Sequence, residues 1–375
     1  MDIKVYQPLG KYIEQIRGVS YKPNDIYDKK CDESIAILRA NNIQNNHVDL
    51  SDLIYINKNK VSEIQKLKKG DILICASSGS KNLVGKATII NNDLNMSFGA
   101  FCKVLRTSKL NQRFLGHYFA SPIYRKTISR LSVGANINNI RKEHIDNLMI
   151  PIYSSEKQTK ISDILDKISI LIDYSSEKLK KYDELVKSQF IEMFGDSKTT
   201  ESIRLKDIAQ IVTGSTPSMA VKDYYKSKDI RFYKPSDLIN DINNLKDSDY
   251  WISEEARTVA RIVPSNSILV SCIGTVGKIG ITNTESTCNQ QINAILPNEK
   301  FNHIYLAYNI ATIKDKLQHI AKAPVVPIIN KTTFGNIEIK FETNIELQNQ
   351  FADFVKHIDK LKFTLKEEIK KLQEC

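Results

Sequence analysis

One uninterrupted helical pattern, residues 156–194, constrains the fold of this chain more than any other feature. It contains neither Pro nor Gly, and its apolar residues recur at steps of three and four, which places them on one stripe of a helix. A helix of this length would extend roughly 55–60 Å, which is longer than a globular domain usually needs. The stripe comprises Ile161, Ile164, Leu165, Ile168, Leu171, Ile172, Leu179, Tyr182, Leu185 and Ile191.

A second pattern of the same kind occupies residues 345–375. Its apolar residues alternate steps of four and three and approach a heptad repeat, which is broken at Glu368. They are Leu347, Phe351, Phe354, Ile358, Leu361, Leu365 and Leu372. A narrow apolar seam on a charged helix requires another helix, so the two patterns predict an antiparallel coiled-coil spacer. The alternative is that each forms a surface helix on a globular core.

The composition favours a soluble protein with a polyanionic partner. A chain of 375 residues is long enough for two or more domains. The formal net charge of +11 and the pI near 9.1 favour nucleic acid over a membrane surface, with solvated lysine-rich faces as the alternative. The N-terminus lacks a signal-peptide pattern, and no apolar run approaches the roughly 20 residues of a membrane span. We therefore expect a cytoplasmic protein.

Outside the helical patterns, the sequence predicts mixed α/β globules. Short apolar runs between turn residues predict strands at residues 34–38, 71–75, 87–90, 98–105 and 148–152. Residues 115–131 are more helical, and Pro122 marks a start or a kink there.

The same order of elements repeats after roughly 190 residues. The matching segments are 8–13 with 204–208, 35–43 with 230–238, 71–75 with 267–272, 84–86 with 276–278, 139–142 with 328–331, and 156–168 with 346–358. The chain therefore reads as two copies of one unit, each a mixed α/β globule followed by a long helix. The predicted boundaries are 1–153 and 201–343 for the globules, 154–195 and 344–375 for the helices, and 196–200 for the linker.

The sequence shows no catalytic or metal-binding constellation. Six cysteines form no Cys-x-x-Cys pair and are expected to be reduced thiols packed mostly in strands. Six histidines form neither His-x-x-x-His nor His-Glu-x-x-His. The glycine-lysine segments 79–87 and 274–278 lack the spacing of a phosphate loop, and no Gly-x-Gly-x-x-Gly opens a helix. We expect no catalytic residue, metal or cofactor in this chain.

The candidate functional residues are of a binding kind. Cations that recur in the late part of each unit and in the glycine loops can neutralise phosphates, although a solvated basic face is the alternative. These cations are Lys81, Lys86, Arg125, Arg130, Arg141, Lys234, Lys278, Lys322 and Lys331, with Lys126, Lys142, Lys314 and Lys316 beside them. Side chains that can contact phosphates or read base edges are Arg106, Ser215, Thr216, Gln290 and Gln291, with Gln112, Arg113 and Asn293 as further polar candidates. Tyr250 and Trp251 are expected to pack in the core.

With these motifs in order, the chain resembles the specificity subunit of type I restriction-modification systems from end to end. The resemblance is carried by residues 214–218 (Gly-Ser-Thr-Pro-Ser) after 205–208, by 274–278, by the Gln158 to Ile168 pattern, and by 193–196. The first half departs most from the family, because it lacks the Gly-Ser-Thr-Pro turn near residues 12–20.

The resemblance implies two target recognition domains that each read one half of a bipartite DNA sequence, separated by the antiparallel helices. It places the chemistry on partners: two methyltransferase subunits carrying S-adenosylmethionine, and a restriction/translocase subunit using ATP and Mg where cleavage occurs. The helix residues expected at the spacer and partner contacts are Ile161, Leu165, Ile168, Leu171, Tyr182, Phe351, Phe354, Ile358, Leu361 and Leu365. A non-catalytic helical scaffold and a stand-alone DNA-modifying enzyme with unrecognised motifs are the alternatives.

Overall fold

The structure, a computed structural model, describes residues 5–44, 46–80, 83–133, 139–195, 200–239, 241–321 and 327–374. The chain divides into two compact units, which are Met1–Leu171 (unit 1) and Ile172–Cys375 (unit 2). Both are mixed α/β units, and the predicted fold class is confirmed.

Unit 1 is built on two four-stranded sheets and two two-stranded sheets. Its strands are β1 (Val5–Pro8), β2 (Glu14–Arg17), β3 (Ile26–Tyr27), β4 (Ser34–Leu38), β5 (Ile43–Gln44), β6 (His47–Val48), β7 (Ile54–Asn57), β8 (Ile72–Cys75), β9 (Ala87–Ile89), β10 (Met96–Phe98), β11 (Cys102–Arg106) and β12 (Met149–Ile152). Its helices are α1 (Gln112–Ala120), α2 (Pro122–Val133), α3 (Lys142–Asp146) and the first turns of α4 (Ser155–Phe194). The sheet orders are β2-β11-β8-β9, β10-β4-β7-β3, β1-β12 and β5-β6.

Strand β8 explains why a run of consecutive apolar residues forms the centre of unit 1. All its residues are buried, because alternate side chains enter two different cores. Ile72 and Ile74 pack in the cluster that contains α1, whereas Leu73 and Cys75 pack in the cluster that contains Phe98. A strand covered on both faces needs no polar alternation.

Unit 2 repeats this plan. Its strands are β13 (Thr200–Arg204), β14 (Ile211–Thr213), β15 (Ile230–Tyr233), β16 (Asn243–Leu245), β17 (Trp251–Ile252), β18 (Ile262–Val263), β19 (Ile268–Ser271), β20 (Ile279–Thr282), β21 (Ser286–Cys288), β22 (Ile292–Ile295) and β23 (Glu338–Glu342). Its helices are α5 (Leu205–Ile208), α6 (His303–Thr312), α7 (Lys314–Ile320), α8 (Lys331–Gly335), α9 (Ile345–Glu374) and the remaining turns of α4. The sheet orders are β14-β22-β19-β20-β16, β17-β15-β21-β18 and β13-β23.

The pairing pattern confirms the internal repeat. A parallel pair, β4 with β10, occurs in unit 1, and β15 with β21 is its parallel counterpart in unit 2. In each unit, an antiparallel pair joins the opening strand to the strand that precedes the long helix, β1 with β12 and β13 with β23.

A buried glutamine joins the start of each long helix to its globule. The backbone N–H of Asn111, which caps α1, donates to Gln158 Oε1 at 2.8 Å, and Gln158 Nε2 donates to the Tyr153 carbonyl at 2.9 Å. In unit 2, the N–H of Asn302 donates to Gln348 Oε1 at 2.7 Å, and Gln348 Nε2 donates to the carbonyl of Glu342 at the end of β23, at 2.6 Å. Each glutamine thus satisfies one donor and one acceptor of the backbone inside the protein.

Within unit 2, the later turns of α4 pack antiparallel to α9. The ring of Phe190 meets that of Phe351 at 5.2 Å between centroids, and Asp183 pairs with Lys362 further along. Residues later in α9 therefore contact residues earlier in α4, as in an antiparallel pair. The predicted antiparallel helix pair is therefore confirmed for this part of α4.

The seam differs from the predicted one in several positions. Of the predicted seam residues, Tyr182, Phe351, Phe354 and Ile358 pack in the unit 2 core and Leu365 is buried, while Ile161, Leu165 and Ile168 are half-buried. Leu171 and Leu361 are instead exposed, as are Ile164, Leu185 and Ile191. The α4 side of the seam is formed by Tyr182, Val186, Phe190 and Phe194, which are spaced by four residues. Steps of four drift around a helix of 3.6 residues per turn, so the seam follows the position of α9 rather than the mean apolar stripe.

The predicted strand at 98–105 is also wrong in one respect. The structure divides it into β10 and β11 at a turn, in which the N–H of Cys102 donates to the Gly99 carbonyl at 2.8 Å. The remaining predicted strands lie within a few residues of observed ones, and Pro122 begins α2.

An ionic clamp ties α1 to the first turns of α4. Asp166 accepts from Arg113 at 2.6 Å and lies 2.6 Å from His117 Nε2, while Arg113 also pairs with Asp163 at 2.8 Å. Burial alone would raise the pKa of Asp166, but the hydrogen bonds from His117 and Arg113 outweigh it, and the pKa is lowered. Arg113, a candidate for base reading, is therefore engaged by α4.

Replacing Asp166 with Asn is expected to destabilise unit 1 by about 1 kcal/mol or less, since the pair is partly exposed and screened by solvent. Because the pKa of Asp166 is lower in the folded protein, its carboxylate stabilises the fold at pH values above the unfolded pKa of about 3.9. This stabilisation is lost as the pH falls through the pKa of the folded state. The destabilisation should therefore shrink below about pH 4. Hydrogen exchange of α1 amides measures it, with Glu184→Gln at an exposed site of α4 as the control. Equal effects of the two substitutions would contradict the clamp.

Candidate nucleic-acid interface

Two backbone segments meet at equivalent places in the two units. In unit 2, the N–H of Ser215 donates to the Cys288 carbonyl at 2.8 Å, and a Cβ on Gly214 would lie 2.2 Å from that oxygen. In unit 1, the N–H of Val19 donates to the Phe98 carbonyl at 2.8 Å, and a Cβ on Gly18 would lie 2.1 Å from the Gly99 oxygen. Only glycine permits such a close approach of two backbones.

This geometry adds to one expectation about unit 1. Unit 1 was expected to lack the Gly-Ser-Thr-Pro turn, and its sequence does differ there, yet Gly18 occupies the position equivalent to Gly214. The Thr-Pro pair is absent from residues 18–21, which read Gly-Val-Ser-Tyr. The turn is thus present in both units, and its side chains differ.

In unit 2, the structure brings together several residues that the sequence singled out. Thr216 Oγ1 donates to Gln290 Oε1 at 2.6 Å, although the two residues are far apart in sequence. Ser215 Oγ accepts from the N–H of Arg261 at 2.9 Å, and Arg261 Nη1 donates to the Thr213 carbonyl at 2.8 Å. Ser215, Thr216 and Gln290 therefore form one polar surface, which we call the unit 2 polar turn.

Arg261 is a part of this surface that sequence reasoning missed. It is an exposed cation whose position is fixed by the polar turn. No motif marks it, because it approaches Ser215 only when β18 pairs with β21.

Gln291 and Lys234, two further candidates in unit 2, lie outside the polar turn: Gln291 is held by an amide and Lys234 by an aromatic ring. Gln291 Oε1 accepts from the Asn289 side chain at 3.0 Å, and its backbone carbonyl accepts from the N–H of Cys272 at 2.8 Å.

Lys234 Nζ lies 3.1 Å from the centroid of the Tyr250 ring, while Arg231 lies over Trp251 at 5.1 Å. These are cation–π contacts. Tyr250 is exposed and Trp251 is half-buried, so the expectation of simple core packing for this pair is wrong.

The two glycine-lysine loops are structural turns. Gly85 and Gly277 both have positive φ, at 81° and 87°, which favours glycine at these positions. In unit 1, Arg125 Nη1 donates to the Val84 carbonyl at 2.8 Å. Lys86 and Lys278, the lysines that follow the glycines, are half-buried.

The cations proposed for the late part of each unit occupy related places. An isolated bridge pairs Ser77 with Asn139 in unit 1 and Ile273 with Ile328 in unit 2, and Arg141 and Lys331 follow soon after. Arg141, Lys331, Arg130 and Lys126 are exposed, whereas Lys316 donates to the Glu338 carbonyl at 3.0 Å and Lys314 is half-buried. Lys81 and Lys322 lie outside the described residues.

Comparison with known proteins decides the family. A sequence profile of the type I restriction modification DNA specificity domain matches residues 16–182 and again residues 197–374. The two matches cover most of the chain. The chain belongs to the type I DNA specificity family.

Curated relatives of this family match about half of the chain. The chain is 40% identical over 181 residues to the type I restriction enzyme StySPI specificity subunit of Salmonella potsdam, covering 48% of this chain and 39% of the relative. It is 40% identical over 184 residues to the EcoKI specificity subunit of Escherichia coli K12, covering 49% and 40%. The matched part thus spans about two fifths of these relatives' length.

Solved structures of the type I family share the fold of nearly the whole chain. One, from work on complex assembly and conformational transition of the type I R-M system, has a TM-score of 0.61 at 14% identity and covers 99% of this chain and 94% of its own. The S subunit from M. genitalium has a TM-score of 0.58 at 13% identity with the same coverage. At this identity the likeness is one of fold.

Within this member of the type I DNA specificity family, Arg106 has a structural role. Its Nε and Nη2 donate to the two carboxylate oxygens of Asp71 at 2.8 and 2.7 Å, and it also donates to the carbonyls of Ile64 and Lys66. Asp71 is only 2% exposed. The donors of Arg106 thus point into unit 1 rather than toward a DNA surface. Among the other polar candidates, Gln112 is exposed, Gln291 is half-buried and Asn293 is buried.

Four thiols of this type I specificity chain are buried, whereas that of Cys31 is exposed. Burial raises the pKa of Cys75 and Cys272 to about 11, and that of Cys102 and Cys288 to about 12. A thiol with such a pKa stays protonated at neutral pH and is a poor nucleophile. Within the described ranges, no group of three His, Cys, Asp or Glu could hold a metal ion. Over the same residues, no helix is long and apolar enough to cross a membrane.

Proposed function

We propose that this chain is the DNA-recognition subunit of a type I restriction-modification complex, and that each unit reads one half of a bipartite target. The observation that carries the proposal is the paired turn, which recurs with the same backbone hydrogen bonds in both units. It presents polar and cationic side chains in unit 2, while the chain as a whole carries a formal net charge of +11. Phosphates attract such charge, and binding should weaken strongly with salt.

In this proposal, residues 1–153 and 201–343 form the two target recognition domains. Residues 154–195 and 344–375 supply the spacer helices, with 196–200 as the linker between them. The exposed stripe residues Leu171 and Leu361, which the α4–α9 seam does not bury, are available to partner subunits.

The chemistry then belongs to partners in the cytoplasm. Methyltransferase subunits, two in number, would bring S-adenosylmethionine and methylate adenine, and a restriction/translocase subunit would bring ATP and Mg. This division is supported by the family membership.

Methylation mapping of genomic DNA tests the proposal. Cells that make this chain together with its methyltransferase should carry adenine methylation at one split motif, and cells that lack only this chain should lose it completely. Exchanging residues 201–343 for those of another family member should change one half of the motif and leave the other half unaltered. A chain carrying Glu184→Gln, at an exposed site of α4, should retain the whole motif.

Two outcomes would overturn the proposal. A methylome that does not change when the chain is absent would favour a helical scaffold that binds only protein. Methyl transfer or DNA cleavage by the purified chain without added subunits would favour a stand-alone enzyme.

A further inference from the structure

The turn between β10 and β11 presents an aromatic ring to solvent. The side chain of Phe101 is 70% exposed. Its backbone is fixed, since its carbonyl accepts from the N–H groups of Ala76 at 2.9 Å and Ser77 at 3.0 Å. The N–H of Cys102 also closes the turn onto Gly99. The ring is therefore held outside the core by an ordered backbone.

The internal repeat identifies the counterpart of Phe101 in unit 2. The Ala76 to Phe101 hydrogen bond corresponds to that between the N–H of Cys272 and the Gln291 carbonyl, at 2.8 Å. The hydrogen bond from the N–H of Cys102 to the Gly99 carbonyl corresponds to that from the N–H of Ile292 to the Asn289 carbonyl, at 3.1 Å. Phe101 therefore occupies the position of Gln291.

The bonds that enter the two turns agree with this register. The N–H of Gly99 donates to the Leu38 carbonyl at 2.9 Å, and the N–H of Asn289 donates to the Tyr233 carbonyl at 3.0 Å. Ala100 consequently corresponds to Gln290, which belongs to the unit 2 polar turn. At the place where unit 2 carries two glutamines, unit 1 carries a small residue and an exposed aromatic ring.

Cations lie on and beside β11, the strand that follows this turn. Lys103 follows Phe101 by two residues, pairs with Arg17 across β2 and β11, and donates to the Ile140 carbonyl at 3.1 Å. Burial lowers the pKa of Lys103. The carboxylates of Glu143 and Asp146 oppose this effect, whereas the charges of Arg17 and Lys142 add to it, and the net shift is downward. An exposed apolar ring on a turn that leads into a strand carrying a lysine, itself paired with an arginine, suits a partner with a polyanionic backbone and apolar groups between its phosphates. Double-stranded DNA has both.

We propose that Phe101 makes the apolar base contact of unit 1, packing on the 5-methyl group of a thymine in its half-site. Phenylalanine is one of the side chains that recognise this methyl group in the major groove, where glutamine would instead read adenine. The inference rests on the proposed function, because it requires unit 1 to read DNA. It adds that the two units read their half-sites with different chemistry at the same turn.

The test uses the complex with its methyltransferase subunits and duplexes carrying the split motif found by methylation mapping. Each thymine of the unit 1 half-site is replaced in turn by uracil, which lacks only the methyl group. At one position, wild-type binding should weaken roughly fourfold, the value expected for one buried methyl group. In Phe101→Ala, binding to the thymine duplex should weaken at least as much, and the uracil substitution should have no further effect.

Two further variants control the experiment. Phe363→Ala removes a ring that is 59% exposed on α9 and should leave binding and the uracil effect unchanged. Phe101→Gln copies Gln291 and should relax or change the preference at that single position. Because the ring is exposed, these variants should retain wild-type circular dichroism.

The result that overturns the inference is wild-type affinity in Phe101→Ala, or a uracil effect of equal size in wild type and Phe101→Ala at every position. A unit 1 half-site without a thymine on either strand would overturn it equally. With the split motif still present, such results leave the proposed function intact. If the motif were still methylated in cells that lack this chain, the proposed function itself would be refuted.

Discussion

Replacing Phe351 with alanine is expected to lower the free energy of unfolding of unit 2 by about 3–5 kcal/mol. Phe351 is fully buried at the centre of the α4–α9 seam, where its ring lies 5.2 Å from those of Phe190 and Tyr308 and 5.6 Å from that of Phe194. Truncation removes the buried ring and leaves a cavity among aromatic side chains, which cannot collapse fully.

The fluorescence of Trp251, the only tryptophan in the chain, measures this unfolding in urea because it lies in unit 2. Phe363→Ala is the matched control, since it makes the same substitution on the same helix at a site that is 59% exposed. Phe363 is exposed and contacts Lys246 at 5.7 Å, so the effect of its replacement should stay within about 1 kcal/mol. Similar urea midpoints for the two variants would show that the seam is not held by the aromatic cluster.

Replacing Asp71 with Asn is expected to lower the free energy of unfolding of unit 1 by about 3–5 kcal/mol. The carboxylate holds Arg106 through two hydrogen bonds and accepts a third from the N–H of Lys68 at 2.8 Å. An amide at this site carries no charge, and its NH2 group faces a guanidinium donor, so a cation is left largely buried without its partner.

Hydrogen exchange of the β8 amides in unit 1 measures the effect of Asp71→Asn. Asp52→Asn is the control, because Asp52 also pairs with an arginine, Arg39, at 2.7 Å but is 66% exposed. An exposed pair contributes at most about 1 kcal/mol. If Arg106 read DNA instead, Asp71→Asn would leave β8 protected and would alter the methylated motif at one base.

The periodicity of the sequence predicted both long helices closely. Residues 156–194 lack Pro and Gly and have one continuous stripe, and the observed α4 is Ser155–Phe194. Helix period and the absence of breakers are local properties, which do not depend on the rest of the fold. The internal repeat was equally visible, because the order of strands, glycine turns and helices is conserved within the chain even where residue identity is not.

The candidate interface was predicted only in part. Ser215, Thr216 and Gln290 were found because hydroxyls and amides next to glycine turns are a recognisable pattern, and they do meet in unit 2. Arg261 was missed, since it enters the same surface from a distant segment, just before β18. Phe101 was placed inside a predicted strand, because an aromatic residue between apolar neighbours reads as buried.

By itself, the sequence determined that this chain has two α/β units, each followed by a long helix, and that its charge suits a polyanionic partner. These conclusions follow from spacing, composition and order along the chain. Only the tertiary structure decided which face of α4 is buried, that Arg106 serves Asp71, and that Gly18 and Gly214 form the same turn. Each of these depends on which distant segment arrives at a given place, and long-range packing and hydrogen bonding settle that.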